Sequence, residues 1–297
     1  MLTPDDRGSE LRADAPVRTV LRALARDRSA VVGLGTLAVL AVIAFAASYV
    51  APHDPIAQPD IIGLKNIPPT IAHPFGTDQM SRDVLSRVIH GAGISLRIAF
   101  LSVLVSATVG TAYGALAGYF AGPVDSVMMR LVDALLAIPR VLLLIAVATL
   151  WNGLEIGGLI LLLGLTGWFG VSRLVRAMVL SAREDEFVTA ARALGASDAR
   201  ILLRHILPQV VSPVLVAATL GIGNVIVIEA GLSYLGMGVK TPYASWGSIF
   251  RDGTSSFEAT WWVWLSAALA LAITVLAVNL VADGLRQALS GRQLPAR

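Results

Sequence analysis

Few side chains in this sequence have the type and spacing to do chemistry. It has no cysteine, so thiolate metal sites, disulfides and cysteine nucleophiles are excluded. The four histidines are His53, His73, His90 and His205. Three fall in one segment but far apart, without a close His pair, and no permanent metal site is expected. Nothing sets a nucleophile beside a base and its orienting group, and no G-x-x-x-x-G-K-[ST] phosphate loop occurs. The chain is therefore not expected to hydrolyse a nucleotide itself or to hold a cofactor. Two charges remain, Glu229 and Arg140, both set in long apolar runs. A charge in an apolar medium is costly unless it is paired or faces water. Glu229 reads either as a helix-end carboxylate satisfied by backbone or arginine, or as a group contacting cargo or gating a passage. Arg140, beside Pro139, reads as snorkelling to a surface, lining a path or, the preferred reading, facing the bundle as a structural group.

The elements that carry these charges follow from composition. Of 297 residues, 56% are apolar and 14% charged, with a mean hydropathy of +0.73. Soluble chains are nearer half apolar and a quarter charged, so there are too few polar atoms here to coat a water-facing surface. A soluble enzyme, a disordered chain and a free nucleic-acid binder are all excluded. Six apolar stretches are long enough to cross a bilayer of ~30 Å as helices: 29–50, 98–122, 134–151, 156–172 extending toward Leu180, 210–235 and 259–282. The first exceeds a signal-peptide core of roughly 7–15 residues and is read as an uncleaved span. The expected fold is all-α, a polytopic membrane protein of six transmembrane helices. Abundant Gly and Ala suit helix backbones that must approach closely in lipid.

Orientation follows from the basic residues, which favour the cytoplasmic side. With the N-terminus inside, the leader contributes Arg7, Arg12, Arg18, Arg22, Arg26 and Arg28. Eight more fall at the inner ends of spans three and four or in the next loop: Arg130, Arg140, Arg173, Arg176, Arg183, Arg192, Arg200 and Arg204. The tail adds Arg286, Arg292 and Arg297, against six Lys or Arg residues outside. Both termini are thus expected in the cytoplasm, and the basic pI of 9.6 records topology and needs no nucleic-acid partner. On the outer side, 51–90 is rich in proline and reads as an irregular loop leading into a short helix. The segment 236–258, with Trp246 and Phe250, is expected at the interface, where aromatic side chains settle. Asp125 and Asp133 flank an amphipathic stretch with Arg130, expected to lie along the inner surface.

Between spans four and five, 183–208 reads as a helix–turn–helix elbow. Phe187, Ala190, Ala191 and Leu194 share one face, with Arg192 opposite. Gly195 ends the first helix, because glycine takes the left-handed cap without strain. Ser197 or Asp198 caps the second, whose apolar residues are Ile201, Leu202 and Ile206, and Pro208 opens span five. Tethered at both ends to spans, the elbow is too short for a DNA-binding domain. It is either a packed connector or a rigid knob whose small residues dock in a groove of another protein, with flanking arginines meeting carboxylates at the rim.

The stretch T-A-A-R-A-L-G at 189–195, followed by Leu207 and Pro208, resembles the EAA signature of permease subunits in bacterial ATP-binding-cassette importers. Thr189 replaces the signature's Glu and His205 a frequent Ile, as in the peptide and nickel branch. H-P-F-G-T-D-Q-M-S-R-D-V-L-S-R at 73–87 is similar to the outer-loop signature of the C-type subunit of dipeptide and oligopeptide permeases, with Ser81 where glycine is expected. E-A-G-L-S-Y-L-G-M-G at 229–238 and P-Y-A-S-W-G at 242–247 resemble the same subfamily. The resemblance implies a type I importer transmembrane domain at 92–286, between an outer loop at 51–91 and a cytoplasmic tail at 287–297. The leader at 1–28 and the first helix at 29–50 precede it. It further implies that Glu186, Thr189, Ala190, Ala191, Leu194, Gly195, Ala196, Ser197, Leu207 and Pro208 form the loop that couples to an ATPase.

Partners implied in the same way are a second homologous permease, two ATP-binding subunits that use ATP and Mg, and a binding protein that delivers cargo outside the membrane. The implied location is the cytoplasmic membrane of a bacterium. The implied cargo is a dipeptide or oligopeptide, with nickel complexes or other small solutes as the alternative. From other classes, an ion-coupled transporter would need more membrane carboxylates and inverted repeats, and a passive anchor would not need a docking elbow.

Overall fold

A computed structural model describes residues 22, 24–151 and 155–290. Arg7, Arg12, Arg18, Arg292 and Arg297, read above as cytoplasmic, lie outside the described residues. Among those described, the elements are helices, with one isolated bridge between Thr77 and Asp83. Five helices are long and apolar enough to span a membrane, and a pair bent by 79° makes a sixth candidate if the two count as one span.

Helix α1 (Arg28–Phe45) begins where Asp27 accepts a hydrogen bond from the Ser29 N–H, 2.9 Å, and a short α2 (Ala47–Val50) extends it. The outer loop ends at Asp83, whose side chain caps α3 (Val84–Phe120). At 37 residues α3 is about 55 Å long, from 1.5 Å per residue. The short helix expected after the outer loop is therefore not separate. It is the first turns of span two, because no proline or glycine cap interrupts 84–120.

The third span also differs from expectation. Residues 134–151 do not form one helix. α4 (Gly122–Leu136) stops at Ala137, and α5 (Arg140–Leu150) departs at 79°. Pro139 is the cause, since its ring disfavours helical backbone at Ile138 and it supplies no N–H. Eleven residues, about 16 Å, leave α5 too short to cross alone. α4 is held by Asp125, which pairs with Arg176, and by Asp133, 2.7 Å from Arg173.

Helix α6 (Ile156–Ala182) packs on α3 over the most extensive helix pairing in the molecule. Gly110, Gly114 and Gly118 of α3 recur every four residues against it. A Cβ on Gly114 would lie 2.3 Å from the Ser172 carbonyl oxygen, and one on Gly118 2.8 Å from that of Arg176. Such approach lets dispersion act between backbones where lipid gives no hydrophobic drive.

The chain then forms α7 (Glu186–Ala193), α8 (Asp198–Ile201), a π turn at Leu202–Ile206, and α9 (Leu207–Tyr234). α10 (Trp246–Thr254) and α11 (Trp261–Ser290) complete the outer cap and the last span. Buried side chains gather at three depths: Ile98, Leu163 and Ile226 in mid-bundle, Val175, Ile201 and Ile206 toward the elbow, and Trp246, Ile249 and Trp262 under the outer loop. Trp246 was expected at the lipid interface. It is instead buried, donating from Nε1 to the Val88 carbonyl, 3.0 Å, because α10 folds back over α3.

Candidate functional site

Three places in the fold bring the candidate residues together. At the elbow, α7 ends in a paired turn: the Gly195 N–H donates to the Arg192 carbonyl and the Ala196 N–H to that of Ala191, 3.0 and 3.1 Å. Gly195 has φ +82°, the left-handed conformation that this cap requires. Ser197 holds the N-cap position of α8, without a side-chain cap bond. Asp198 accepts instead from the Tyr119 hydroxyl, 2.6 Å, which ties the elbow to the end of α3.

Val188 and Ile201 are fully buried against the bundle and fix the elbow's orientation. Phe187, Ala190 and Leu194 point away, Leu194 at 89% exposure. Glu186, Thr189, Gly195 and Ser197 are exposed beside them. Ala191 and Ala196 differ from expectation, since both are part-buried and pack toward the bundle. Helical geometry explains this: Ala191 lies three residues from Val188, on the face that Val188 commits to the interior. Leu207 and Pro208 open α9.

The second place is a cavity of about 210 Å³ between α3, α6 and α9. Arg140 lies on its wall with Ser106, Gly167, Gly221 and Asn224. The Arg140 guanidinium donates to the Leu163 carbonyl, 2.9 Å, and to Thr166 Oγ1, 3.4 Å. Those partners lie seven and ten residues into α6, so Arg140 is not at the inner surface where its charge was counted. The break at Pro139 places it deep in the bundle, and its lack of a carboxylate partner among the described residues leaves a cation facing the cavity. Arg140 thus both braces α6 and lines the cavity.

The third place is the outer cap. Asp78 accepts from Arg82 Nε, 2.7 Å, and pairs with Arg87. Asp252 of α10 accepts from Arg82 Nη2 and Arg87 Nη2, 3.2 and 2.9 Å. Trp262 Nε1 donates to the Thr77 carbonyl, 3.0 Å. Ser81, in the place where glycine was expected, has φ +62° and is held by its hydroxyl, which donates to the Asp60 carbonyl at 2.6 Å. Backbone N–H groups of Gly63 and Ile62 keep the Asp60 carboxyl below the usual carboxylate range.

Glu229 belongs to this cap. Its side chain is buried, and Oε1 accepts from Ser233 Oγ and Ser245 Oγ, 2.7 Å each. No arginine and no described cavity meets it, so it joins α9 to the start of α10 and does not line the cavity that Arg140 faces. The two stretches 229–238 and 242–247 are thereby one bonded unit. Sequence reading missed the Arg82–Asp78–Arg87–Asp252 network, which closes over some 170 residues of chain. It also missed the glycine stripe of α3, although the four-residue spacing was visible.

Comparison with known proteins fits this architecture. Residues 110–294 match the family model "binding-protein-dependent transport system inner membrane component". Residues 15–69 match the N-terminal transmembrane domain of oligopeptide transport permease C. The dipeptide transport system permease protein DppC of Bacillus subtilis (strain 168) is 36% identical over 90% of this chain and 83% of its own length. The oligopeptide transport system permease protein OppC of Mycobacterium bovis is 38% identical over 91% and 92%. Among solved structures, a chain of the inward-facing MetNI methionine ABC transporter matches with a TM-score of 0.54 at 20% identity, over 69% of this chain and 96% of that one. That likeness concerns the fold alone. The helical bundle of candidate membrane spans and the family match over more than half the chain agree, and the chain belongs to the binding-protein-dependent transport system inner membrane components.

Proposed function

We propose that this chain is the C-type permease subunit of an ATP-binding-cassette importer that carries dipeptides or oligopeptides across the cytoplasmic membrane of a bacterium, with both termini inside. The observation that carries the reading is the elbow. A two-turn helix is anchored by Val188 and Ile201 yet presents Phe187, Ala190 and Leu194 outward, an apolar face left exposed among the described residues. A connector that only packed would bury that face. As a docking knob it fits a groove on an ATP-binding subunit, two of which would supply ATP and Mg. This chain contributes no nucleotide site of its own.

In this mechanism, closure of the ATPases drags the elbow, and α9 carries the motion outward because α8, the π turn and α9 run on as one span, Asp198–Tyr234. Glu229 passes it to α10 and the outer cap, where a cargo-loaded binding protein would sit. The α3–α6–α9 cavity, with Arg140, is one wall of a passage whose other wall a homologous permease supplies. Coupling thus runs through 183–208, within a transmembrane domain at 92–286. The leader at 1–28, the first helix at 29–50, the outer loop at 51–91 and the tail at 287–297 would flank it.

Peptide cargo rests on the names of the relatives and on the outer-loop signature at 73–87. Uptake of labelled di- and tetrapeptides by cells lacking the subunit, with and without its return, tests it. Loss and restoration of peptide uptake is the expected result. Intact peptide uptake with lost nickel uptake would overturn the peptide assignment and move the chain to the metal branch.

A further inference from the structure

The outer loop brings together three groups that the sequence holds apart. His73 Nδ1 stands 2.9 Å from Asp83 Oδ1, and His53 Nδ1 stands 3.7 Å from the same oxygen. The imidazole rings are 4.7 Å apart, centre to centre. One ligand atom from each of the three residues lies within 4.8 Å of the others. The expectation that distant histidines make no metal site took no account of the loop's return path.

The surroundings are ordered around these atoms. Asp83 Oδ2 accepts from the Ser86 N–H, 2.8 Å, and from Ser86 Oγ, 2.6 Å, which leaves Oδ1 for the histidines. Ser86 Oγ in turn accepts from the His53 N–H, 3.1 Å, fixing the backbone of one histidine. Outer groups that orient a ligand in this way recur around bound metals. The Asp83 side chain is 1% exposed, and its ion-pair partners among the described residues are these two histidines. The nearby guanidiniums of Arg82 and Arg87 are taken by Asp78 and Asp252. A buried carboxylate thus faces two imidazoles, with His53 43% exposed on the outer side.

We propose that His53, His73 and Asp83 bind a divalent transition-metal cation of the zinc, nickel and copper class, clamping the outer loop to the head of α3. Ligands about 2.0–2.1 Å from a tetrahedral zinc stand roughly 3.3 Å apart. The observed 2.9 and 3.7 Å bracket that spacing on two edges. The third, between the imidazoles, lies within 4.8 Å, so the rings need to close by no more than about 1.5 Å to seat the ion. Two nitrogens and one carboxylate suit zinc-like ions and do not suit Mg²⁺ or Ca²⁺, which prefer all-oxygen shells. Three protein ligands leave a fourth position for water at the open side of His53. The simpler alternative is a clasp made of the His73–Asp83 hydrogen bond alone.

The test uses the whole transporter complex, purified without a polyhistidine tag and stripped with chelator. Zn²⁺ is titrated in competition with a chromophoric chelator, with Mg²⁺ as a control. The wild-type complex should bind one more tight equivalent of Zn²⁺ than His53→Ala or Asp83→Asn complexes, with affinity at that site weakened at least about tenfold. Asp83→Asn keeps an acceptor for the Ser86 N–H. If that complex fails to assemble, His53→Ala decides alone, because its half-exposed ring bears little packing. Zinc-edge X-ray absorption of the loaded wild type should show two imidazole ligands. Equal stoichiometry in the wild-type and His53→Ala complexes, both intact by size exclusion, would overturn the site and leave the hydrogen-bonded clasp. Peptide uptake plays no part in this readout, so its failure is distinguishable from failure of the transport reading.

Discussion

Two serine hydroxyls donate to Oε1 of Glu229, which pairs one carboxyl oxygen at 1% exposure without an arginine, while Oε2 has no hydrogen-bond partner among the described residues. Each bond is short, and the low dielectric strengthens both, but the same dielectric makes an orphaned partner expensive. An amide can accept the same two bonds. Glu229→Gln should therefore keep transport within about twofold of wild type. Glu229→Ala removes the acceptor that both hydroxyls use and opens a cavity, at roughly 3 kcal/mol, and should lower the amount of protein recovered from membranes. Quantitative immunoblotting beside uptake separates the two effects. A Glu229→Gln protein that inserts normally but does not transport would show that the carboxylate itself gates. Ser81 is the complementary case, a left-handed residue at φ +62° held in place by its own side chain rather than by glycine's freedom.

At the scale of elements, the α3–α6 pairing sets the bundle's spacing. A valine at Gly114 would force its Cβ against the Ser172 carbonyl, 2.3 Å away in the present geometry, so the helices would have to separate. Overpacking of this kind costs roughly 3 kcal/mol. Gly114→Val should lose most of its protein from the membrane fraction, whereas Gly35→Val, where an added Cβ meets nothing within 4 Å, should not. The elbow makes the opposite prediction for Gly195. Its surroundings are open, but its φ of +82° strains any β-branched residue. Gly195→Val should insert normally and lose transport, because only α7 is re-aimed; unchanged uptake would remove the elbow from the coupling path.

How much of this was legible in the sequence depended on the range of the interactions involved. The cap at Gly195 was readable because one residue type answers one backbone requirement. The spans were readable because hydropathy sums over a window. That same sum hid the break in 134–151: the apolar content carries across Ala137–Pro139, although Pro139 stops the helix there. Trp246 was misplaced because composition cannot tell an aromatic at the lipid boundary from one roofed by a folded-back helix. The Arg82–Asp78–Arg87–Asp252 network and the grouping of His53, His73 and Asp83 depend on loop path, which no local spacing encodes.

For the whole molecule, the decisive feature is that both working surfaces are incomplete in one chain. In the proposed reading the cavity beside Arg140 is one wall of a passage, and the elbow's apolar face is exposed among the described residues. Because the chain lacks cysteine, a single introduced thiol reports one contact without background. Ala190 is the better position for it, being exposed, whereas Ala196 packs partly toward the bundle. Ala190→Cys should crosslink to a thiol placed in the cleft of the ATP-binding subunit. Val127→Cys, 70% exposed on α4, should not, although α4 is expected along the same inner surface. Crosslinking at both positions would mean loose encounter with that surface, and crosslinking at neither would return the elbow to a packed connector. Crosslinking at Ala190 alone, with a yield that changes when ATP is added, requires the elbow to sit in a groove that moves with nucleotide. The continuous span from Asp198 to Tyr234, through its π turn and Pro213, would then have to carry that motion to the outer cap.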